Sequence, residues 1–79
     1  MDKTVEKKLN DLLDSGDITS FLVTLGEVVK SGNVSKISRE VEMTRGGIYH
    51  ALSEKGNPTF SALVKITKAL GLKINFFKA

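Results

Sequence analysis

Residues 43–53 read MTRGGIYHALS, and six of them carry the chemistry that stands out in this chain: Thr44, Arg45, Gly46, Gly47, Tyr49 and His50. That chemistry is recognition rather than bond making. An arginine can give a guanine edge two parallel hydrogen bonds, the commonest base-specific contact. Tyr49 and His50 offer hydrogen bonds, and apolar contact with thymine methyls or phosphates. Thr44 and the start of a helix present donors to a phosphate. The adjacent glycines sit badly with a helix, since each costs ~1 kcal/mol against alanine. On the outer face of a reading helix they would remove side chains that hold the backbone away from the bases. The plainer alternative is a tolerated local weakness, and the sequence leaves both open.

A short reading segment needs elements that hold it at a steep angle to its neighbours. Val5, Leu9, Leu12 and Leu13 have helical spacing, which predicts an N-terminal helix over 1–15, ended by Ser15-Gly16-Asp17 with Asp17 capping the next. Ile18, Phe21, Leu22, Leu25, Val28 and Val29 continue that period, and Ser31-Gly32-Asn33 closes the helix, with Gly32 expected in a left-handed conformation. A shorter helix is expected over 34–41, with Ile37 and Val41 inward. A turn at Glu42-Met43 follows, and Thr44 caps the glycine-containing helix, which buries Ile48 and Leu52. Gly56-Asn57-Pro58 is a turn, and Thr59 caps a helix carrying Phe60, Leu63, Val64, Ile66 and Leu70 to a stop at Gly71. Residues 72–77 alternate as a short strand would.

The fold class expected is therefore all-α, a compact five-helix bundle, with a short strand over 72–77. Two short helices joined by three or four residues cannot lie antiparallel and must cross steeply, so 34–53 reads as a helix-turn-helix. Ile37, Val41, Met43, Ile48 and Ala51 occupy its apolar positions, with Ser38 as the small residue between the helices. Its turn often begins with a left-handed glycine, where this chain has Glu42, expected in a modified turn. Ser35, Lys36, Arg39, Lys55 and Asn57 flank the reading helix as candidate phosphate contacts, and each also suits an ordinary solvated surface.

Composition narrows the classes. Seventy-nine residues make one domain, 1–79, and 41% apolar with 27% charged residues is ordinary for a globular protein. No run approaches the ~18 apolar residues of a bilayer span, and no signal-peptide pattern is present, so an intracellular place is expected. The absence of cysteine and the single histidine exclude disulfides, thiolate sites and His-based metal clusters. No cofactor, metal or catalytic residue is expected: no phosphate-cradling loop follows a strand, and His50 has no evident partner. Net charge is +3, unevenly placed. Residues 1–17 hold three lysines against five acids, whereas 18–79 hold nine basic residues against four acids. A basic body suits a polyanion, double-stranded DNA above all.

Residues 16–77 also resemble a known family, the addiction-module antidotes: HigA-like antitoxins within the lambda-repressor-like (Xre/Cro) helix-turn-helix group. The blocks that carry the resemblance are DITSFLVTLGEVVKSGNVSKISRE and then MTRGGIYHALSEKGNPTFSALVKITKALGLKI, above all IYHALSEKGNPTF. The resemblance implies a lambda-repressor-like five-helix fold, a homodimer on a palindromic operator, and a cytoplasmic, nucleoid-associated repressor of its own operon. It also implies a RelE-like (HigB-like) toxin as partner, and carries the DNA-reading role onto Thr44, Arg45, Gly46, Gly47, Tyr49 and His50. Family members often have charged or polar side chains where Gly46 and Gly47 stand, which puts the operator sequence in question more than DNA binding.

Toxin binding has no comparable motif. The acidic N-terminal helix could cover a basic toxin or pack on its own core. Ile74, Phe76 and Phe77 are candidates for a dimer or partner surface, because two exposed phenylalanines are costly, or they fold back on the chain's own helices. Two further readings compete: a stand-alone prophage-type repressor without a toxin, and a helical protein-interaction module without specific DNA binding.

Overall fold

The computed structural model describes residues 3–78 and contains five α-helices: α1 (Lys3–Ser15), α2 (Ile18–Ser31), α3 (Val34–Val41), α4 (Arg45–Ala51) and α5 (Phe60–Ala69). Local chemistry fixes four of the starts. Asp17, Asn33, Thr44 and Thr59 each accept a hydrogen bond from the backbone N–H three residues on, at 2.9–3.1 Å. Each bond satisfies one N–H that the first helical turn leaves without a partner. At α2 the Ser20 hydroxyl, and after it the Ser20 N–H, hold the Asp17 carboxyl below its ordinary pKa. The ends of α1 and α5 turn through glycines in the left-handed region, Gly16 (φ 76°) and Gly71 (φ 77°).

Packing follows the apolar faces. The core is Leu9 of α1, Phe21, Leu22, Leu25 and Val29 of α2, Ile37 and Val41 of α3, Ile48, Leu52 and Ile66. α1 lies on α2, α3 lies on α5, and α2 and α3 both touch α4. Leu25, Val29, Ile48 and Ile66 are closed to solvent, each stabilising the fold by roughly 1.5–3 kcal/mol. The one buried polar residue among those described, Thr67, gives its hydroxyl hydrogen to the Val64 carbonyl at 3.0 Å, and its own carbonyl accepts from Leu72 N–H at 2.9 Å.

Some expectations are corrected. Gly32 is extended (φ −108°, ψ −161°) rather than left-handed. Only two residues separate α2 from α3, and Gly32 N–H returns to the Val29 carbonyl as the chain runs straight into the Asn33 cap. No strand forms over 72–77. A strand needs a neighbour to bond, and every other element in the described residues is a helix. The helix expected over 1–15 runs from Lys3; residues 1 and 2 lie outside the described residues. Ile18 and Phe60, read as inward-facing, are 53% and 62% exposed, because each is the first residue of its helix and overhangs the core. Leu13, on the last turn of α1, is also exposed.

Candidate functional site

The connection from α3 to α4 is three residues long, and its geometry rests on Glu42. Glu42 is the only described residue other than glycine with positive φ (58°, ψ 41°), squarely left-handed. The turn is therefore the form a glycine would take, carried by glutamate, and not a modified one. It is locked on both sides. Met43 N–H bonds the Ser38 carbonyl at 3.1 Å, and the Ser38 hydroxyl donates to the Met43 carbonyl. Ser38 thus serves by more than its small size, since its hydroxyl ties the turn.

α4 leaves that turn with Thr44 as cap, its Oγ1 accepting from Gly47 N–H at 2.9 Å. Ile48 and Leu52 hold the inner side of the helix in the core, and Ala51 is half-buried. Thr44, Arg45, Gly46 and His50 stand exposed, Gly46 and His50 one turn apart on the side opposite Ile48. Gly47 and Tyr49, read as exposed, are half-buried. Tyr49 packs its ring against the core edge with the Lys30 ammonium 5.4 Å from the ring centroid, so α2 adds a cation to this flank.

The two glycines differ. A Cβ on Gly46 would meet nothing within 4 Å, so no neighbour in the fold demands glycine there. A Cβ on Gly47 would come within 3.0 Å of Thr44 Oγ1, tight against the cap.

Among the flanking residues, Ser35 is joined directly to the site: Arg45 Nη2 donates to its hydroxyl, linking the first turns of α3 and α4. Lys36 is exposed, 3.9 Å from the Glu40 carboxylate on the next turn of α3. Arg39 is exposed in the last turn of α3. Lys55 and Asn57 are exposed in the connection from α4 to α5. Ile74, Phe76 and Phe77 lie away in the segment after α5, at 37%, 85% and 90% exposure.

Two glycines that position α4 are not evident from the sequence pattern. Gly26, buried in α2, lies against the end of α4, where a Cβ would stand 2.8 Å from the Leu52 carbonyl oxygen. The available signal is a glycine inside an amphipathic helix, between Leu25 and Val29. Gly56, read only as a turn residue, has no room for a side chain, since its Cβ would lie 2.0 Å from the Ala51 carbonyl oxygen.

Among the described residues there is no group of three or more His, Cys, Asp or Glu placed to hold a metal, and no helix is long and apolar enough to cross a membrane. What the site offers is a capped helix start with an exposed arginine, fixed by a rigid turn and a buried isoleucine.

The fold and site define a small all-α protein, and comparison with known proteins gives its family. Residues 1–78 match the family model described as "probable addiction module antidote protein". An uncharacterized protein of Haemophilus influenzae is 38% identical over 72 residues, which cover 91% of this chain and 74% of that protein. No solved structure matches significantly. The chain belongs to the addiction-module antidote family. An antidote implies a toxin as its partner.

Proposed function

We propose that this protein is the DNA-binding antitoxin of a type II toxin–antitoxin pair, with α3, the Glu42 turn and α4 forming a helix-turn-helix. α4 enters the major groove by its N-terminal turn. Arg45 reads a guanine edge, Thr44 and the helix start bond a phosphate, and His50 reads the next turn of the groove. Gly46 lets the backbone approach the bases, and part of the reading is by DNA shape. Tyr49, half-buried, contributes from the flank. Ser35, Lys36, Arg39, Lys55 and Asn57 contact phosphates on either side. One such helix reads too few bases for useful specificity, so two copies act as a homodimer on a palindromic operator and repress the operon. The toxin neutralised is RelE-like (HigB-like).

The observation that carries this reading is the exposed start of α4, with Arg45 beside a glycine that no packing requires. Arg45→Ala tests it, by fluorescence anisotropy on a duplex from upstream of the gene. The expected loss is ~1–3 kcal/mol, about 5- to 150-fold in Kd, with relaxed specificity at one base pair. Unchanged binding by Arg45→Ala would favour a protein-interaction module instead. Co-expression with the product of the adjacent reading frame tests the antidote half, since growth arrest by that product should be relieved.

A further inference from the structure

Arg45 is the first residue of α4, and it is exposed. A cation there runs against the helix dipole, whose N-terminal end favours anions, so helix stability does not account for it. A long exposed side chain samples many rotamers, and fixing it costs free energy when a complex forms. Arg45 is not left to sample them. Its Nη2 donates to the Ser35 hydroxyl, across ten residues of sequence and from one helix to another. Ser35 is the second residue of α3, and its hydroxyl is spared from capping, because Asn33 Oδ1 already accepts from Lys36 N–H at 3.1 Å. Ser38 follows one turn along the same side of α3, and its hydroxyl donates to the Met43 carbonyl. The two serines divide the start of α4 between them: Ser38 holds the backbone that leads into it, and Ser35 holds its first side chain.

The chemistry of that partner matters. Among the described residues the ion pairs join Lys7 to Asp11 and Lys36 to Glu40, and Arg45 is in neither. A carboxylate would orient the guanidinium, but it would also neutralise it and take up a pair of its N–H groups. A hydroxyl is neutral and accepts from one N–H, so the rest of the fork keeps its charge and its free donors. We propose that Ser35 is a positioning residue for base reading: by holding Arg45 Nη2 it sets the guanidinium before DNA arrives, and so sharpens discrimination at the one base pair that Arg45 reads. This rests on α4 being the DNA-reading helix and deepens that role, since a phosphate contact at Ser35 would carry no sequence information. The hydroxyl hydrogen stays free for a phosphate, so both roles fit one side chain. Only positioning makes Ser35 matter for which base is bound.

Two measurements test this, one of them without DNA. In the isotope-labelled free protein, NMR relaxation of the Arg45 Nε–H is expected to show an ordered side chain. Ser35→Ala, which suits a helix and should keep the fold, is expected to bring its order parameter below ~0.6. An Arg45 equally mobile in both chains would overturn the proposal. On DNA, fluorescence anisotropy uses the duplex from upstream of the gene and a set with single base-pair substitutions. The pair at which Arg45→Ala relaxes specificity marks the base that Arg45 reads. At that pair Ser35→Ala is expected to reduce the preference roughly 2- to 10-fold, with the preferences at other pairs unchanged. Ser35→Thr, which keeps the hydroxyl, should preserve the preference, and Ser35→Ala should have no effect on it in an Arg45→Ala chain. Weakening by Ser35→Ala that is equal on every duplex would make the serine a phosphate contact alone and overturn the proposal. So would a loss of preference of the same size in the chain lacking Arg45. Failure of base reading by α4 is separately visible: Arg45→Ala would then relax no base pair, and the proposal would fall with that reading.

Discussion

At the scale of single residues, the fold accepts strain at Glu42 and forgoes helix propensity at Gly46, and the two choices predict opposite functional results. A left-handed conformation costs a residue with a Cβ roughly 1–2 kcal/mol. Glu42→Gly removes that cost, and should raise stability by about 1 kcal/mol and Tm by ~4–8 °C in a domain of this size, as thermal melting would show. Glu42→Ala, which keeps a Cβ, should bring no comparable gain. Operator affinity should be unchanged, because the turn geometry is the same. Gly46→Ala has space for its methyl group and should also stabilise, by about 0.5–1 kcal/mol. Here a cost is expected on DNA: the methyl group holds the backbone off the bases, and operator affinity should fall ~10-fold while Tm rises. A rise in Tm with unaltered affinity would make the glycine a tolerated weakness and nothing more.

At the scale of elements, α4 is too short at seven residues to be stable by itself and takes its place from its neighbours. Ile48 anchors it in the core, the Ser38–Met43 bonds set its angle to α3, and Gly26 lets α2 come close to its end. Gly26→Ala shows which effect wins. Alanine would favour α2 by ~1 kcal/mol, but the new Cβ would stand 2.8 Å from the Leu52 carbonyl oxygen, and such overpacking costs ~1–3 kcal/mol. Net destabilisation of about 1 kcal/mol is expected in urea unfolding. Gain of stability would mean that the α2–α4 contact yields easily.

The same elements show what is legible in the sequence. Periodicity finds all five helices, and three of the four capping side chains, Asp17, Thr44 and Thr59, are readable from residue type and place. Asn33 reads as the end of α2 when it begins α3, because so short a connection must serve both. The burial of Tyr49, the bond from Arg45 to Ser35, and the close approaches at Gly26 and Gly56 depend on elements distant in sequence. Alternation over 72–77 predicts a strand that does not form, since a ladder requires a second strand that the described helices do not supply.

At the scale of the whole molecule, charge is unevenly divided along the chain. The three lysines and five acids of residues 1–17 put the acidic excess on and beside α1, while 18–79 carry the positive excess. In the proposed reading it is the positive body, with α4, that faces DNA. Phosphate contacts make every affinity fall with salt, but only base contacts discriminate among duplexes. Operator recognition by α4 is thus tested most directly by fluorescence anisotropy of the protein on the duplex upstream of its gene and on a random duplex of equal length, at low and near-physiological salt. The upstream duplex is expected to bind ~10³-fold or more tightly, with a preference that survives salt. Equal binding of both duplexes, lost together as salt rises, would contradict operator recognition and leave the basic face as an electrostatic patch.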